Sequence, residues 1–519
     1  MTRTVPKTAL ARSLFGLAFL LASALFAWAL TRPLDWLLMV VPDDAFYYLG
    51  IARNLARSGL SSFDGVHLTN GYHPGWMAIA ALTAACFREP LVQLRALLAS
   101  AFLFHVAASV IIVLAARRFT SETRAWVAGA LWLLSVLPFR LALQGMEGSF
   151  YIFALALAWL LYMSRFFRKE RPAHPDLAVF GLALALCVWG RTEAMLLAML
   201  VIPIVSLSLR RTGWLRPLLV MSLAFAAGIA PWVAYSRVAT GSWLQQSGAM
   251  KLLWAAEAPP GLALRLWHGV QYLLGTWVSL PVLGGLDGDA HGWRGAVNIV
   301  ALLTLFALML AGLRRESSRD LARIGLVMLA MTLLTGAYYA FLSSDRQFWY
   351  KAQPGLILHL LLFFTGAEVL SHRPSFPKPG VVAIVLGLFA VALLAVVGSL
   401  RTYPWQKEVY HSQQQFERLV PEGARIGCFN AGIPGFFSSR QVINLDGLVN
   451  NSITGYYRRR SVERYLAEEQ IHWIADENVA WSRAERFMGK PPAREVVATV
   501  PLTGADHTDR SLWRVRGER

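Results

Sequence analysis

What most constrains this chain is a succession of apolar runs, each long enough to cross a bilayer. They lie near residues 13–30, 94–116, 124–140, 148–165, 217–236, 296–313, 322–342, 352–371 and 380–399. A spanning helix needs about 20 mainly apolar residues, because every backbone polar group must be satisfied inside the segment. Residues 177–209 form a further run broken by Gly190-Arg191-Thr192-Glu193, which predicts two short spans joined by a polar turn. Composition agrees. Charged residues make up 15% of the 519, against about 25% in a soluble domain. An ordinary soluble enzyme is excluded. With 56% hydrophobic residues, so is a disordered chain.

The net charge of +18 does not point to nucleic acid. Residues 401–519 hold 17 basic and 14 acidic side chains, a net of +3, which leaves +15 for the apolar first 400. That excess sits mostly at the ends of the apolar runs, and no basic run is interleaved with stacking aromatics. Basic clusters occur at Arg117-Arg118 to Arg124, Arg165 to Arg171, Arg210 to Arg216, Arg314 to Arg323 and His372 to Lys378. Placing these and the basic N-terminus in the cytoplasm fixes the alternation of spans. Segments 31–75, 141–147, 237–295 and 343–351, the Gly190–Glu193 turn and the tail from Arg401 then fall outside. This predicts about 11 spans. The start of the chain lacks a small-residue cleavage site and reads as an uncleaved first span. Residues 76–90 are apolar but short and predict an interfacial or partial helix.

The chain therefore divides into a polytopic helical module over 1–400 and a polar tail over 401–519. In the tail, alternating stretches at Ala424–Cys428 and Gln441–Leu445 and a helical stretch near 461–471 predict a small α/β domain. Cys86, Cys187 and Cys428 form no CxxC pair, so neither a disulfide framework nor a zinc site is indicated.

The richest segment for chemistry is Val41-Pro42-Asp43-Asp44-Ala45-Phe46-Tyr47-Tyr48. Two adjacent carboxylates directly after a span are costly and commonly functional, although Asp44 also suits a helix N-cap. The stretch AFYYLGIARNLARSG has an apolar face of Ala45, Tyr48, Leu49, Ala52 and Leu55, opposed by Arg53, Asn54 and Arg57. It predicts an amphipathic helix along the interface. Thr69-Asn70-Gly71-Tyr72-His73-Pro74-Gly75-Trp76 follows, readable as a binding turn or as an aromatic anchor with an Asn-Gly turn. In the loop over 237–295, Trp243 and Lys251 are candidates for lipid contact, and the loop also reads as a lid. Tyr456-Tyr457-Arg458-Arg459-Arg460 reads as a solvated basic face or a contact for an anionic glycan.

Together, DDAFYYLGIARNLARSG and TNGYHPGW resemble the first outer loop of GT-C glycosyltransferases of the arabinofuranosyltransferase-B-like type. Gln144-Gly145-Met146-Glu147, Gly190-Arg191-Thr192-Glu193, Asp345-Arg346-Gln347-Phe348-Trp349-Tyr350 and Asn444-Leu445-Asp446-Gly447-Leu448-Val449-Asn450 extend the resemblance over most of the chain. The chain departs from the commoner pattern at Gly75 and Gln347.

The resemblance implies a GT-C fold in a bacterial inner membrane, with the active site and tail extracytoplasmic. It implies an inverting transfer of sugar from a polyprenyl-phosphate donor to an envelope glycan or lipid acceptor. Asp43 or Asp44 is then the base for the acceptor hydroxyl. Arg191, Arg346 and Lys351 are candidates to stabilise the leaving lipid phosphate, though each also fits interfacial snorkelling. His73 and Tyr72 are candidates for donor contact. Glu147 is a candidate second acid or a capping residue. Asp43, Asp44 and Glu147 are the candidate set for a divalent cation, without dedicated metal spacing. Membrane lipids are the other expected partners. A transporter or flippase for a lipid-linked glycan, or a non-catalytic envelope assembly protein of the same fold, would share the spans. Transporters, however, place polar groups at the bilayer midplane, and here they cluster outside.

Overall fold

The computed structural model describes residues 7–167, 172–209, 213–257, 261–267, 319–341, 347–357, 359–360, 379–503 and 509–516, with isolated positions at 269, 300, 303, 307 and 310. The expected span at 296–313, most of the loop 237–295, the cluster His372–Lys378 and Arg346 fall largely or wholly outside these residues.

The first two-fifths of the chain is helical: α1 (Lys7–Leu30), α2 (Leu34–Val40), α3 (Asp43–Ser58), α4 (Pro74–Cys86), α5 (Pro90–Ala116), α6 (Glu122–Leu134), α7 (Val136–Ala142), α8 (Gly148–Arg165), α9 (His174–Gly190) and α10 (Ala194–Ser208). Then come α11 (Leu215–Thr240), α12 (Gln246–Glu257), α13 (Arg319–Phe341), a single 3-10 turn (Phe348–Lys351) and α14 (Pro379–Ser399). Among the described residues six helices are long and apolar enough to cross a membrane, or seven if the bent pair α6 and α7 is one span. The chain is thus a multi-pass membrane protein. The expectation of about 11 spans reaches beyond what these residues contain. α6 and α7 meet at 54°. Pro138 cannot donate to the carbonyl four residues back, and the helix breaks at Ser135, whose Oγ turns back to the Leu131 carbonyl at 2.6 Å. α4 has 13 residues and so rises roughly 20 Å, short of the ~30 Å hydrocarbon core. α9 and α10 are the two short helices expected over 177–209, and they separate at Arg191–Glu193.

α3 departs from expectation. Asp43 and Asp44 occupy its first turn, Arg57 its last, and Gly59 ends it at φ 72°, in keeping with the helix dipole and a left-handed cap. More than a single apolar stripe of it is buried. Phe46, Tyr47, Gly50 and Ile51 are buried as well as Ala45, Tyr48, Leu49 and Ala52, because the tail of the chain covers the second face.

That tail carries α15 (Gln406–Glu417), β1 (Ile426–Cys428), α16 (Gly432–Phe437), β2 (Val442–Asn444), α17 (Thr454–Arg459), α18 (Val462–Glu468), β3 (Trp473–Glu477), α19 (Asn478–Glu485), β4 (Arg494–Val500) and β5 (Arg510–Val515). Its sheet runs β2-β1-β3-β5-β4. β1 is parallel to both β2 and β3, pairing Gly427 with Ile443 and with Ile474, and β5 is antiparallel to β3 and β4. The edge pair β4 and β5 was not apparent from the sequence. α16 packs on α3, where Phe46 meets Phe436 and Phe437 with ring centroids 5.8 and 5.6 Å apart. Full burial of such a ring stabilises by roughly 2–3 kcal/mol. One apolar core runs from α1 through the bundle into α16, β1 and β5, so the sheet is fixed against the helices. Loops that follow parallel strands lie at the strands' carboxyl ends, the usual place for ligands in such sheets. Here the loops after β1 and β2 face α3.

Candidate active site

A cavity of about 300 Å³ opens where eight stretches converge. α3 supplies Asp44, Tyr47 and Tyr48, and the 71–73 turn supplies Gly71 and His73. The start of α8 supplies Glu147, and the α9–α10 break supplies Arg191, Thr192 and Glu193. Gln245 and Lys251 come from the start of α12, Tyr338 and Tyr339 from the end of α13, Trp349 and Tyr350 from the 3-10 turn, and Leu448 and Val449 from the loop after β2.

The two adjacent aspartates do different things. Consecutive helical residues point about 100° apart, so only one of the pair faces the cavity, and that is Asp44. Asp43 turns to the tail. Its Oδ2 accepts from the Gly432 amide at 2.9 Å and its Oδ1 from the Ile433 amide at 2.7 Å, capping the N-terminus of α16. Burial pushes Asp43 up to about 7, with the charge of Asp44 adding to it against the pull of the two amides. Asp446 behind the cavity is pushed up to about 8, again chiefly by burial and with Asp44 contributing. Tyr47 bridges the two parts, donating to Asp446 Oδ2 at 3.2 Å and receiving the Ala431 amide at 3.1 Å.

Arg191 is the centre of the buried charge. Its side chain is 4% exposed. It is bonded through Nη1 to Glu147 and through Nε to Glu193, and Nη2 donates to the Tyr339 hydroxyl at 3.0 Å. Tyr339 in turn donates to Glu193 at 2.6 Å. Burial opposes the charge on Arg191, and Glu193, Tyr339 and Glu147 outweigh it, so the guanidinium is held above its ordinary value. Glu147 also accepts from the Tyr48 hydroxyl at 3.1 Å, and that hydroxyl receives the His73 amide at 3.2 Å. The His73 ring lies 3.7 Å from Glu147 and 3.4 Å from Thr192. Burial lowers its pKa, which favours the neutral ring. Tyr350 stacks on Tyr339 at 4.7 Å and 13°. Arg191 lies over one part of this aromatic wall, 4.7 Å from the Tyr350 ring centre, and Lys251 donates to the Tyr350 hydroxyl.

Of the residues singled out in the sequence, Asp44, His73, Glu147, Arg191 and Lys251 converge on the cavity. Tyr72 is buried beside it, its hydroxyl 2.7 Å from Ser61 Oγ and its ring against Trp232. Lys351 lies outside the lining, with Nζ 5.6 Å from the centre of the Phe348 ring. Arg346 is not among the described residues. The set expected for a divalent cation does not assemble. Asp43 is taken by backbone amides and Glu147 by Arg191, and among the described residues no three His, Cys, Asp or Glu side chains converge. Tyr338 and Tyr339 were not foreseen. They end an apolar run, and nothing local distinguishes them from interfacial aromatics.

Gly71 and Gly75 show how closely the walls are set. A Cβ on Gly71 would stand 1.9 Å from the Leu448 carbonyl oxygen, and one on Gly75 would stand 2.5 Å from the Phe150 ring.

The fold has counterparts among solved structures. The fold is similar to that of ArnT. The crystal structure of ArnT from Cupriavidus metallidurans in the apo state matches with TM-score 0.60 at 13% identity, over 96% of this chain and 97% of that one. The same protein bound to undecaprenyl phosphate matches with TM-score 0.57 at 12% identity, over the same shares. The Archaeoglobus fulgidus oligosaccharyltransferase in the apo form matches with TM-score 0.53 at 12% identity, over 92% of this chain and 71% of that one. A family model described as a domain of unknown function matches residues 405–512, which include β1 to β4 and the start of β5. Among curated proteins none matches the chain.

Proposed function

We propose that the protein is an inverting glycosyltransferase. It moves a sugar from a polyprenyl-phosphate donor to a glycan or lipid acceptor of the cell envelope, at the outer face of the bacterial inner membrane. The observation that carries this reading is Asp44, a carboxylate in the wall of a cavity that also holds Lys251 and the Arg191 network. The similarity of the fold to ArnT, solved with undecaprenyl phosphate, supports the choice of donor.

In the reaction the acceptor hydroxyl oxygen bonds to the anomeric carbon as the bond from that carbon to phosphate oxygen breaks. The lipid phosphate leaves with the electron pair, and Asp44 takes the hydroxyl proton. Asp43 holds α16 and the 429–433 loop in place. Arg191 spends three of its five N–H donors on Glu147, Glu193 and Tyr339, which makes it the keystone of the pocket. Lys251, carried by α12 into the cavity, is the cation assigned to the donor phosphate. Tyr339, Tyr350 and Trp349 offer faces for the sugar ring or the first isoprene unit.

Transfer by the purified chain from polyprenyl-phosphate sugars tests the reading. Asp44→Asn is expected to lower the rate by about 10²–10⁴, the usual contribution of a general base, with an unchanged size-exclusion profile. Wild-type rates in Asp44→Asn would remove the base from the mechanism.

A further inference from the structure

A second cavity lies at the far end of the bundle. α8 begins beside Glu147 in the active-site cavity and ends at Arg165, and its 18 residues separate the two by roughly 27 Å. The ends of α5 and α8 meet there around a cavity of about 510 Å³, lined by Leu114, Arg118, Leu160, Leu161, Ser164 and Arg165. That volume falls within the roughly 300–1,000 Å³ of small-molecule sites.

The lining is built in two tiers. Leu160 and Ser164 are four residues apart on one helix, as are Leu161 and Arg165, and Arg118 lies in the turn that follows α5, four residues after Leu114. Residues at that spacing share a face one turn apart. The leucines form a tier toward the middle of the bundle, and the two arginines and the serine form a tier about 5.4 Å nearer its end. Leu114 is 41% exposed, so the apolar tier opens sideways, where acyl chains lie around a spanning helix. Basic pockets between spanning helices suit the head groups of anionic lipids.

The local charge narrows the ligand. At this end Arg12 and Arg117 are both paired with Glu122. Arg165 has Asp176 at 3.5 Å. Among the described residues no ion pair or hydrogen bond is formed by the Arg118 side chain, which is exposed at the rim. Among the described residues the lining, with Asp176 set against Arg165, thus carries an excess of about one positive charge. That matches a singly charged phosphodiester better than a phosphate monoester, which carries nearly two charges at neutral pH.

We propose that the α5–α8 cavity binds an anionic glycerophospholipid, with its phosphodiester on Arg118, Arg165 and Ser164 and its glycerol and upper acyl carbons on Leu114, Leu160 and Leu161. This site is separate from the sugar-transfer cavity and lies at the other end of the same helix.

Native mass spectrometry of the full chain in detergent tests it, with phosphatidylglycerol, phosphatidylcholine or inorganic phosphate added in turn. Phosphatidylglycerol is expected to be retained at least fivefold more than phosphatidylcholine. The double variant Arg118→Gln/Arg165→Gln is expected to lose that preference. Leu161→Trp fills the apolar tier while keeping both charges, and is expected to lower retention as well, which guards against a double variant that fails to fold. Equal retention of the two lipids overturns the proposal, and so does undiminished phosphatidylglycerol on either variant. Retention of inorganic phosphate as strong as that of phosphatidylglycerol overturns the lipid as the occupant.

Discussion

Replacing Gly71 with alanine adds one methyl group and tests how the tail sets the wall of the cavity. The new Cβ would stand 1.9 Å from the Leu448 carbonyl oxygen, and Cβ contacts under 3.0 Å are essentially never adopted. The two segments must therefore part by at least about 1 Å. The 444–450 loop cannot yield freely. Gly447 N donates to Asn444 at 3.0 Å, Leu448 N to Asp446 at 2.7 Å, and Gln246 to the Gly447 carbonyl at 2.8 Å. Overpacking of this kind costs about 1–3 kcal/mol. A displacement of about 1 Å in an active site lowers turnover by roughly 10². The assay is kcat and KM for sugar transfer, with amide hydrogen exchange over 444–450 and apparent Tm on the same preparations. Gly16→Ala is the control, since a Cβ there meets nothing within 4 Å. A Gly71→Ala protein with wild-type kcat/KM, exchange and Tm would refute the reasoning, because the sheet would then not define the wall.

Asp43 gives a pH prediction. An acid whose folded pKa is raised stabilises the fold below its ordinary value of 3.8, and that contribution is lost as pH rises through about 7. Apparent Tm should fall over this range, and Asp43→Asn should flatten the fall while retaining far more transfer than Asp44→Asn. Arg191→Ala leaves Glu147 and Glu193 buried without their cation and should destabilise by about 3–5 kcal/mol, whereas Lys251→Ala should keep Tm and raise the donor KM about tenfold. His67 links the first loop to the tail, with Asp64 at 2.7 Å and Glu469 at 3.2 Å. Burial lowers the pKa of His67 and these two carboxylates outweigh it, while burial raises that of Asp64 and His67 outweighs it. The pair is therefore strongest above pH 3.8 and below pH 6.5. His67→Ala should raise hydrogen exchange in 462–470 most within that window, and an effect unchanged at high pH would count against the ion pair.

Some of this was written locally in the chain. Hydropathy marks the spans because the bilayer forces each crossing segment to satisfy its own backbone. The break at Arg191–Glu193 and the polar turn before Trp76 are visible for the same reason, since charged and turn residues interrupt an apolar run. The alternating stretches around Ile426 and Val442 announce the two parallel strands, which follow each other closely. The division of labour between Asp43 and Asp44 is not local. It depends on Gly432 and Ile433, almost 390 positions on, which claim the first carboxylate and leave the second to the cavity. The same holds for Arg191, which reads as an open cation until Glu147 and Tyr339 close on it from two other helices. Periodicity shows which residues share a face of one element. Which faces meet is decided by packing among distant elements, and the cavity exists only where they do.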